Sequence, residues 1–155
     1  MYTQPAGWTR FGLNVLDKYS GDKRWLDPFF DSGNWYRAFH GTGNARKDDF
    51  FNDILESDPN FFCIAALANI YRHSFCRARV AAYGSGVYCS PNPTFVENGY
   101  VKSVTIETQR GPKTFKAMLQ VAVNPDGVTF TSDDNVWLVP NPANIRAYRI
   151  LIKEV

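Results

Sequence analysis

Two short segments contain residues whose types and spacing suit ligand chemistry. Residues 35–42 predict a half-buried strand that ends in His40 and Gly41. Residues 83–91 predict a glycine-containing turn that leads into a short strand carrying Tyr88. Because glycine has no Cβ, a flat ligand can lie against its backbone. Together the segments predict a pocket with an imidazole, an open peptide edge and an aromatic floor, which suits an uncharged aromatic amide attached to a ribose.

The chemistry of the first segment centres on His40. A neutral imidazole at a strand end can donate to a ribose hydroxyl, while the N–H and C=O of Gly41 offer a donor and an acceptor to a carboxamide. The hydroxyl of Thr42 can assist. The alternative from these residues alone is that His40 has a purely structural place in the core or in a turn.

The aromatic residues of the second segment allow ring stacking. Tyr100 follows Tyr88 by twelve positions, at the end of a possible short helix. Two such rings can enclose a planar ring, and each stacking pair contributes roughly 0.5–1.5 kcal/mol beyond burial. The alternative is that both tyrosines belong to the core.

Short strands and ordered loops are the elements expected to position these residues, because aromatic residues make up 15% of the chain and are interleaved with Gly, Pro and Asn. Residues 8–16 mix the strand and helix periods and leave both open. An acidic first turn and apolar spacing predict an amphipathic helix over 47–56. A second segment, 62–70, fits either a helix or a buried strand.

The second half of the chain predicts mostly strands. A helical turn is predicted at 91–97, and alternation predicts strands at 101–108, 115–123, 128–130, 136–139 and 145–152. The expected fold class is therefore α+β, with a split or sandwiched antiparallel sheet and a few short helices. With 155 residues, 45% of them hydrophobic, we expect one domain over 1–155.

Charge and cysteine content narrow the class of protein. The net charge of +2 does not demand a nucleic-acid partner. Three cysteines without CxxC spacing and only two histidines predict neither a disulfide framework nor a metal site. These features favour an intracellular setting, cytoplasmic or nuclear, and no apolar run is long enough to predict a membrane span.

Three short motifs follow one another along the chain: His40-Gly41-Thr42, then Gly86-Val87-Tyr88 with Ser90, and then Asn98-Gly99-Tyr100. Their order and spacing resemble the catalytic core of the histidine-tyrosine type of ADP-ribosyltransferases, the superfamily of poly(ADP-ribose) polymerases and diphtheria toxin. The resemblance runs from about residue 35 to the C-terminus. It implies that residues 1–34 are an extension packed on an ADP-ribosyltransferase-like domain.

The resemblance implies a role for each matched residue, with NAD as the substrate. His40 would bind the 2′-hydroxyl of the nicotinamide ribose and the adenosine side of NAD, and Gly41 would hold the amide through its backbone. Tyr88 and Tyr100 would stack on the nicotinamide ring. A further hydroxyl group would be supplied to the amide by Ser90 or Thr94, and Thr42 is a further NAD-binding residue through its hydroxyl.

The chain departs from the family pattern at the third catalytic position. Polymerising members have a glutamate near the start of a late strand, and here Ile145 lies nearest to the expected place. The resemblance therefore implies a mono-ADP-ribosyltransferase, a glycosyltransferase that moves ADP-ribose from NAD to a protein or nucleic-acid acceptor.

Two other functions remain open. The first is a catalytically inactive module of the same fold that binds a nucleotide or a protein, because the glutamate is missing. The second is an RNA 2′-phosphotransferase on a related fold, prompted by the arginines between 72 and 79. The arginines and histidine of that family are not found here in recognisable order.

Overall fold

Eight strands and two helices make up the part of the chain that the computed structural model describes, which is residues 5–27, 34–43, 59–78 and 82–155. In chain order they are β1 (Thr9–Gly12), β2 (Tyr36–His40), α1 (Pro59–His73), β3 (Val87–Cys89), α2 (Pro93–Tyr100), β4 (Ser103–Thr108), β5 (Gly111–Val123), β6 (Thr129–Phe130), β7 (Trp137–Val139) and β8 (Ile145–Glu154). The helix predicted over 47–56 lies outside the described residues.

The strands form two antiparallel sheets, which confirms the predicted α+β class. The larger sheet has the order β1-β8-β5-β2, with β4 also paired to β5. The smaller sheet has the order β3-β7-β6. Two segments that the sequence left open are now assigned, because residues 8–16 contain strand β1 and residues 62–70 lie within helix α1.

One edge of β5 carries two different strands. The 13 residues of β5 pair with β4 over Gly111–Lys116 and with β2 over Leu119–Val123. Strand β8 pairs with Phe115–Val123 and so occupies the opposite edge. Between β2 and β4 the edge is open at two residues of β5, and we call this the edge gap. Strand β2 ends at the edge gap with His40, and β4 begins there.

A pair of backbone hydrogen bonds joins the two sheets. The N–H of Phe39 donates to the carbonyl of Ser90 over 2.8 Å, and the N–H of Ser90 donates to the carbonyl of Phe39 over 3.0 Å. Ser90 directly follows β3, and Phe39 directly precedes His40. The end of β2 and the end of β3 are therefore held side by side.

Successive side chains of β2 point to opposite faces of the large sheet, and each face has its own buried layer. Phe39 is fully buried on one face of the large sheet, where it packs with Trp8 and with Val96 of α2. Ala38 is buried on the opposite face, in the core between the two sheets, with Leu67 of α1 and Val87 of β3. The side chain of His40 points to the same face as that of Ala38, at the rim of the inter-sheet core.

The N-terminal segment, residues 15–27 after β1, packs on the face of the large sheet that also holds Phe39. Trp25 is 1% exposed and packs against Tyr148 of β8. Arg37 of β2 donates to the carbonyl oxygens of Trp25 and Leu26 over 2.9 and 3.1 Å. The guanidinium of Arg146 lies 4.5–5.3 Å from the ring centroids of three aromatic residues, Tyr19, Trp25 and Trp35. These arginines attach the segment to the sheet.

Within the described residues, no helix has the length and apolar character that crossing a membrane requires.

Glu97 joins helix α2 to the large sheet. Its Oε1 accepts from Lys153 over 3.0 Å and from Lys116 over 3.2 Å, and its side chain is 15% exposed. Burial alone raises the pKa of this carboxyl, but the two ammonium groups outweigh burial and bring the pKa below its usual range. The ionised form is therefore the one that the folded state stabilises.

We expect Glu97→Gln to reduce the free energy of unfolding by about 1 kcal/mol at neutral pH, which corresponds to a fall of roughly 2–4 °C in Tm. Because the carboxyl pKa is lowered by folding, the stabilisation exists above the unfolded-state pKa and is lost as the pH falls through the folded-state pKa. Thermal melts from pH 7 to pH 3 should show the two proteins converging. Glu154→Gln is the matched control with a smaller expected effect, since Glu154 pairs with Lys113 in a more exposed position. Equal effects of both changes would contradict this role of Glu97.

Candidate functional site

His40 contacts both the strand that carries Tyr88 and the segment after α1. Its Nδ1 lies 2.8 Å from the carbonyl oxygen of Tyr88. The ring of Phe75 meets the imidazole edge to face, with centroids 5.1 Å apart. The imidazole is half-buried. Two separate parts of the chain thus fix the orientation of this side chain.

The contact with Tyr88 also sets the protonation of His40. A carbonyl oxygen only accepts, so Nδ1 must carry the proton and donate. Burial lowers the pKa of His40, and the Tyr88 carbonyl opposes this shift without cancelling it. At neutral pH the ring is therefore neutral, with a lone pair on Nε2. Among the described residues nothing bonds to Nε2, so His40 can accept a hydrogen bond from a ligand hydroxyl rather than donate one as expected from the sequence.

The missing Cβ of Gly41 makes room for Tyr100 and not for a ligand. A Cβ on Gly41 would lie 2.5 Å from the backbone oxygen of Tyr100. Gly43 is equally restricted, and its N–H donates to the same oxygen over 2.6 Å. The turn at 41–43, in which Thr42 is buried, is therefore pressed against the end of α2. This contact brings Tyr100 beside His40 and corrects the expectation that Gly41 leaves space for a flat ring.

Tyr88 is positioned by its own hydroxyl group. The hydroxyl donates to the carbonyl of Gly84 over 2.7 Å and accepts from the N–H of Tyr83 over 3.0 Å. Gly84 has a φ of +108°, and a Cβ on Gly86 would lie 2.6 Å from Leu138. Both glycines are thus needed for the turn, and the half-buried ring of Tyr88 is held by that turn.

The ring of Tyr100 packs against Phe95 five residues earlier, with centroids 5.7 Å apart, and remains 39% exposed. The main-chain oxygen of Tyr88 contacts the imidazole of His40, and the main-chain oxygen of Tyr100 contacts the 41–43 turn.

Ser90 supports the start of α2. It is 1% exposed, and its Oγ accepts from the N–H of Asn92. Asn92 caps the helix by accepting from the N–H groups of Thr94 and Phe95. The amide of Asn92 also donates to Oδ1 of Asn135 over 3.0 Å. The hydroxyl of Ser90 therefore lies in a cap network.

The register places Asn135 beside the residues that follow β3. Cys89 pairs with Trp137, so the residues just before β7 lie beside the residues just after β3. Asn135 is one of them, and its contact with Asn92 confirms the proximity. An amide therefore lies next to the helix cap at Asn92, two residues after Ser90.

Ile145 lies elsewhere. It is 2% exposed in the inter-sheet core and pairs with Val123, which in turn faces Tyr36 at the start of β2. His40 is at the other end of β2, about 14 Å from Tyr36 at ~3.4 Å per residue. The structure does not bring Ile145 to the other predicted residues.

Three carboxylates in the second half of the chain are committed to other contacts. Glu97 and Glu154 bind lysines, and Asp133 accepts from the N–H of Asn135 over 2.9 Å. In the described ranges, no group of three or more His, Cys, Asp and Glu residues is placed to hold a metal ion. Burial raises the pKa of Cys89 to about 12, which makes this thiol a poor nucleophile.

The basic residues near α1 lie next to the site. Arg72 and His73 end the helix, and Arg77 follows Phe75 by two positions. All three are exposed, while Arg79 lies outside the described residues. The N–H of Ala78 donates to the carbonyl of Gly86, which ties this segment to the turn before Tyr88.

Three contributions to the site escaped the sequence analysis. They are the edge contact of Phe75, the second close glycine Gly43 and the amide of Asn135. Of these, only Gly43 could be predicted from the sequence, because it is the second glycine of Gly41-Thr42-Gly43.

No family model matches this chain, and neither does any curated protein.

We expect Gly41→Ala to destabilise the protein by about 1–3 kcal/mol, since the added methyl group would collide with rigid backbone of Tyr100. Gly99→Ala is the matched control, because Gly99 lies in α2 with open space around its Cα. That change should be neutral or stabilising by up to roughly 1 kcal/mol, as alanine favours helices. Urea unfolding measures both, and an unchanged midpoint for Gly41→Ala would contradict the close packing.

We expect the pKa of His40 to lie below the ordinary histidine value of 6.5 in an NMR titration of the ring protons. The sign of the pH dependence of stability follows from burial, because the unfolded chain takes up the proton at a higher pH than the folded protein does. The stability that His40 contributes is thus complete above pH 6.5 and is lost as the pH falls through the lower folded-state pKa. A pKa above 6.5 would show that the imidazole is not desolvated.

Proposed function

We propose that this chain is a NAD-dependent mono-ADP-ribosyltransferase of the histidine-tyrosine type, with a split-sheet ADP-ribosyltransferase-like fold. The observation that carries the proposal is the main-chain proximity of three separate segments: the imidazole of His40 contacts the carbonyl of Tyr88, and Gly41 and Gly43 pack against the carbonyl of Tyr100. The resemblance in sequence rests on the same three segments. Their proximity supports one common ligand site.

In the proposed reaction, the bond between C1′ of the ribose and the nicotinamide nitrogen breaks. Nicotinamide leaves with the bonding electron pair and becomes neutral, and an acceptor nucleophile forms a new bond to C1′. The proton of the acceptor passes to solvent. His40 contributes by orienting the ribose, because its neutral Nε2 accepts from a ribose hydroxyl while Nδ1 is held by Tyr88.

The residue at the third catalytic position of the family pattern supports transfer of single ADP-ribose units. Ile145 is apolar and buried in the inter-sheet core, so it supplies no carboxylate. Repeated elongation requires activation of a ribose hydroxyl as the acceptor, and an apolar side chain does not supply it. The acceptor is then a protein or nucleic-acid group that reacts without help from this position.

The same lack of a carboxylate at position 145 favours a second function, an inactive module that binds a nucleotide or a protein through this fold. The hydroxyl of Tyr88 is already committed to the turn, which leaves few groups for chemistry. The two functions differ in one property, because only the transferase releases nicotinamide.

We expect the wild-type protein, incubated with NAD labelled in the adenine part, to place label on itself or on added protein or RNA. His40→Ala should lower the labelling about ten-fold or more, the loss expected when one hydrogen bond of roughly 1.5 kcal/mol is removed. His73→Ala is the matched control, since His73 is the other histidine and is exposed at the end of α1. Equal labelling by His40→Ala and wild type would contradict the assigned role of His40.

Nicotinamide release, followed by chromatography in the same samples, separates the two functions. Release by the wild-type protein alone supports the transferase. Tight NAD binding without release or transfer supports the binding module. Absence of NAD binding, checked by the fluorescence of the tryptophans, would remove the transferase and every form of the binding module that takes NAD.

A further inference from the structure

A lysine stands beside the 41–43 turn with no assigned role. Lys102 follows Tyr100 by two positions and directly precedes β4, so it lies at the end of β4 that borders the edge gap. Its Cγ is 3.2 Å from the place where a Cβ of Gly43 would be. The aliphatic part of Lys102 thus lies along the glycine turn that follows His40.

This part of the chain is fixed, which gives the lysine a defined place. The N–H of Gly43 is bonded to the carbonyl of Tyr100, and Gly43 is buried. Lys102 itself is exposed. A lysine with a packed stem and an exposed head can reach a ligand at the turn with little loss of side-chain freedom.

Lys102 also differs from the neighbouring lysines in its ion pairing. Lys116 and Lys153 share Glu97, and Lys113 pairs with Glu154. Over the ranges that the structure describes, no carboxylate pairs with Lys102. A cation without a counter-ion at the rim of a ligand site suits a phosphate group.

We propose that Lys102 binds the pyrophosphate of the dinucleotide. The inference rests on the proposed function and adds a contact that the sequence motifs do not include. The pyrophosphate is separated from the nicotinamide ribose by a single methylene carbon and an oxygen, so a ligand whose ribose is held by His40 has its phosphates within reach of a long side chain beside the adjoining 41–43 turn. Lys102 is a binding residue in this assignment and takes no part in proton transfer.

The experiment compares ligands with and without phosphate. Calorimetry would measure the binding of NAD, ADP-ribose and nicotinamide to the wild-type protein, to Lys102→Gln and to Lys102→Arg, at two salt concentrations. We expect Lys102→Gln to weaken the binding of NAD and of ADP-ribose about ten-fold at low salt, which is the effect of one lost charge-assisted hydrogen bond. The affinity for nicotinamide should be unchanged. Lys102→Arg should retain most of the affinity.

Two further variants serve as controls. Lys23→Gln removes an exposed lysine of the N-terminal segment and should leave all three affinities unchanged. Arg77→Gln tests another exposed cation, two residues after the Phe75 ring that contacts His40. A ten-fold loss for Arg77→Gln with none for Lys102→Gln would overturn the assignment, and so would a loss that is equal for NAD and nicotinamide.

The outcomes keep the two proposals distinguishable. Binding of NAD that depends on His40 but not on Lys102 would overturn only this inference. If the wild-type protein binds neither NAD nor ADP-ribose, the proposed function and the role of Lys102 are overturned together.

Discussion

The two backbone hydrogen bonds between Phe39 and Ser90 are the constraint on which the site depends. They hold the ends of β2 and β3 together, although these strands belong to different sheets. One residue further on, the imidazole of His40 meets the carbonyl of Tyr88. The position of the imidazole and its tautomer follow from this junction, because both depend on the distance between the two strand ends, whereas burial is what lowers its pKa.

Most of the contacts that assemble the site are made by main-chain atoms. The carbonyl of Tyr88 orients His40, the carbonyl of Tyr100 binds Gly43, and the glycines permit the close approach. Main-chain contacts need few specific side chains, apart from glycine where a Cβ would collide. A site of this kind tolerates wide change in sequence, which fits a chain whose resemblance rests on three short motifs.

Local patterns predicted the elements well and the long-range placement less well. The strand ending at His40, the short strand at Tyr88 and the α+β class could be read from the sequence, because alternation and turn residues act locally. The position of Asn135 beside Asn92 could not, since it depends on the pairing of β7 with β3, and β7 has only three residues. The glycine at 41 was recognised as a close approach, but sequence does not reveal which group fills the space.

The most direct test of this account is a crystal structure of the chain with NAD bound. We expect a hydroxyl of the nicotinamide ribose within about 2.6–3.2 Å of Nε2 of His40, with the pyridine ring beside Tyr88 and Tyr100. Density for NAD at another place, or an Nε2 that faces protein atoms in the complex, would contradict it.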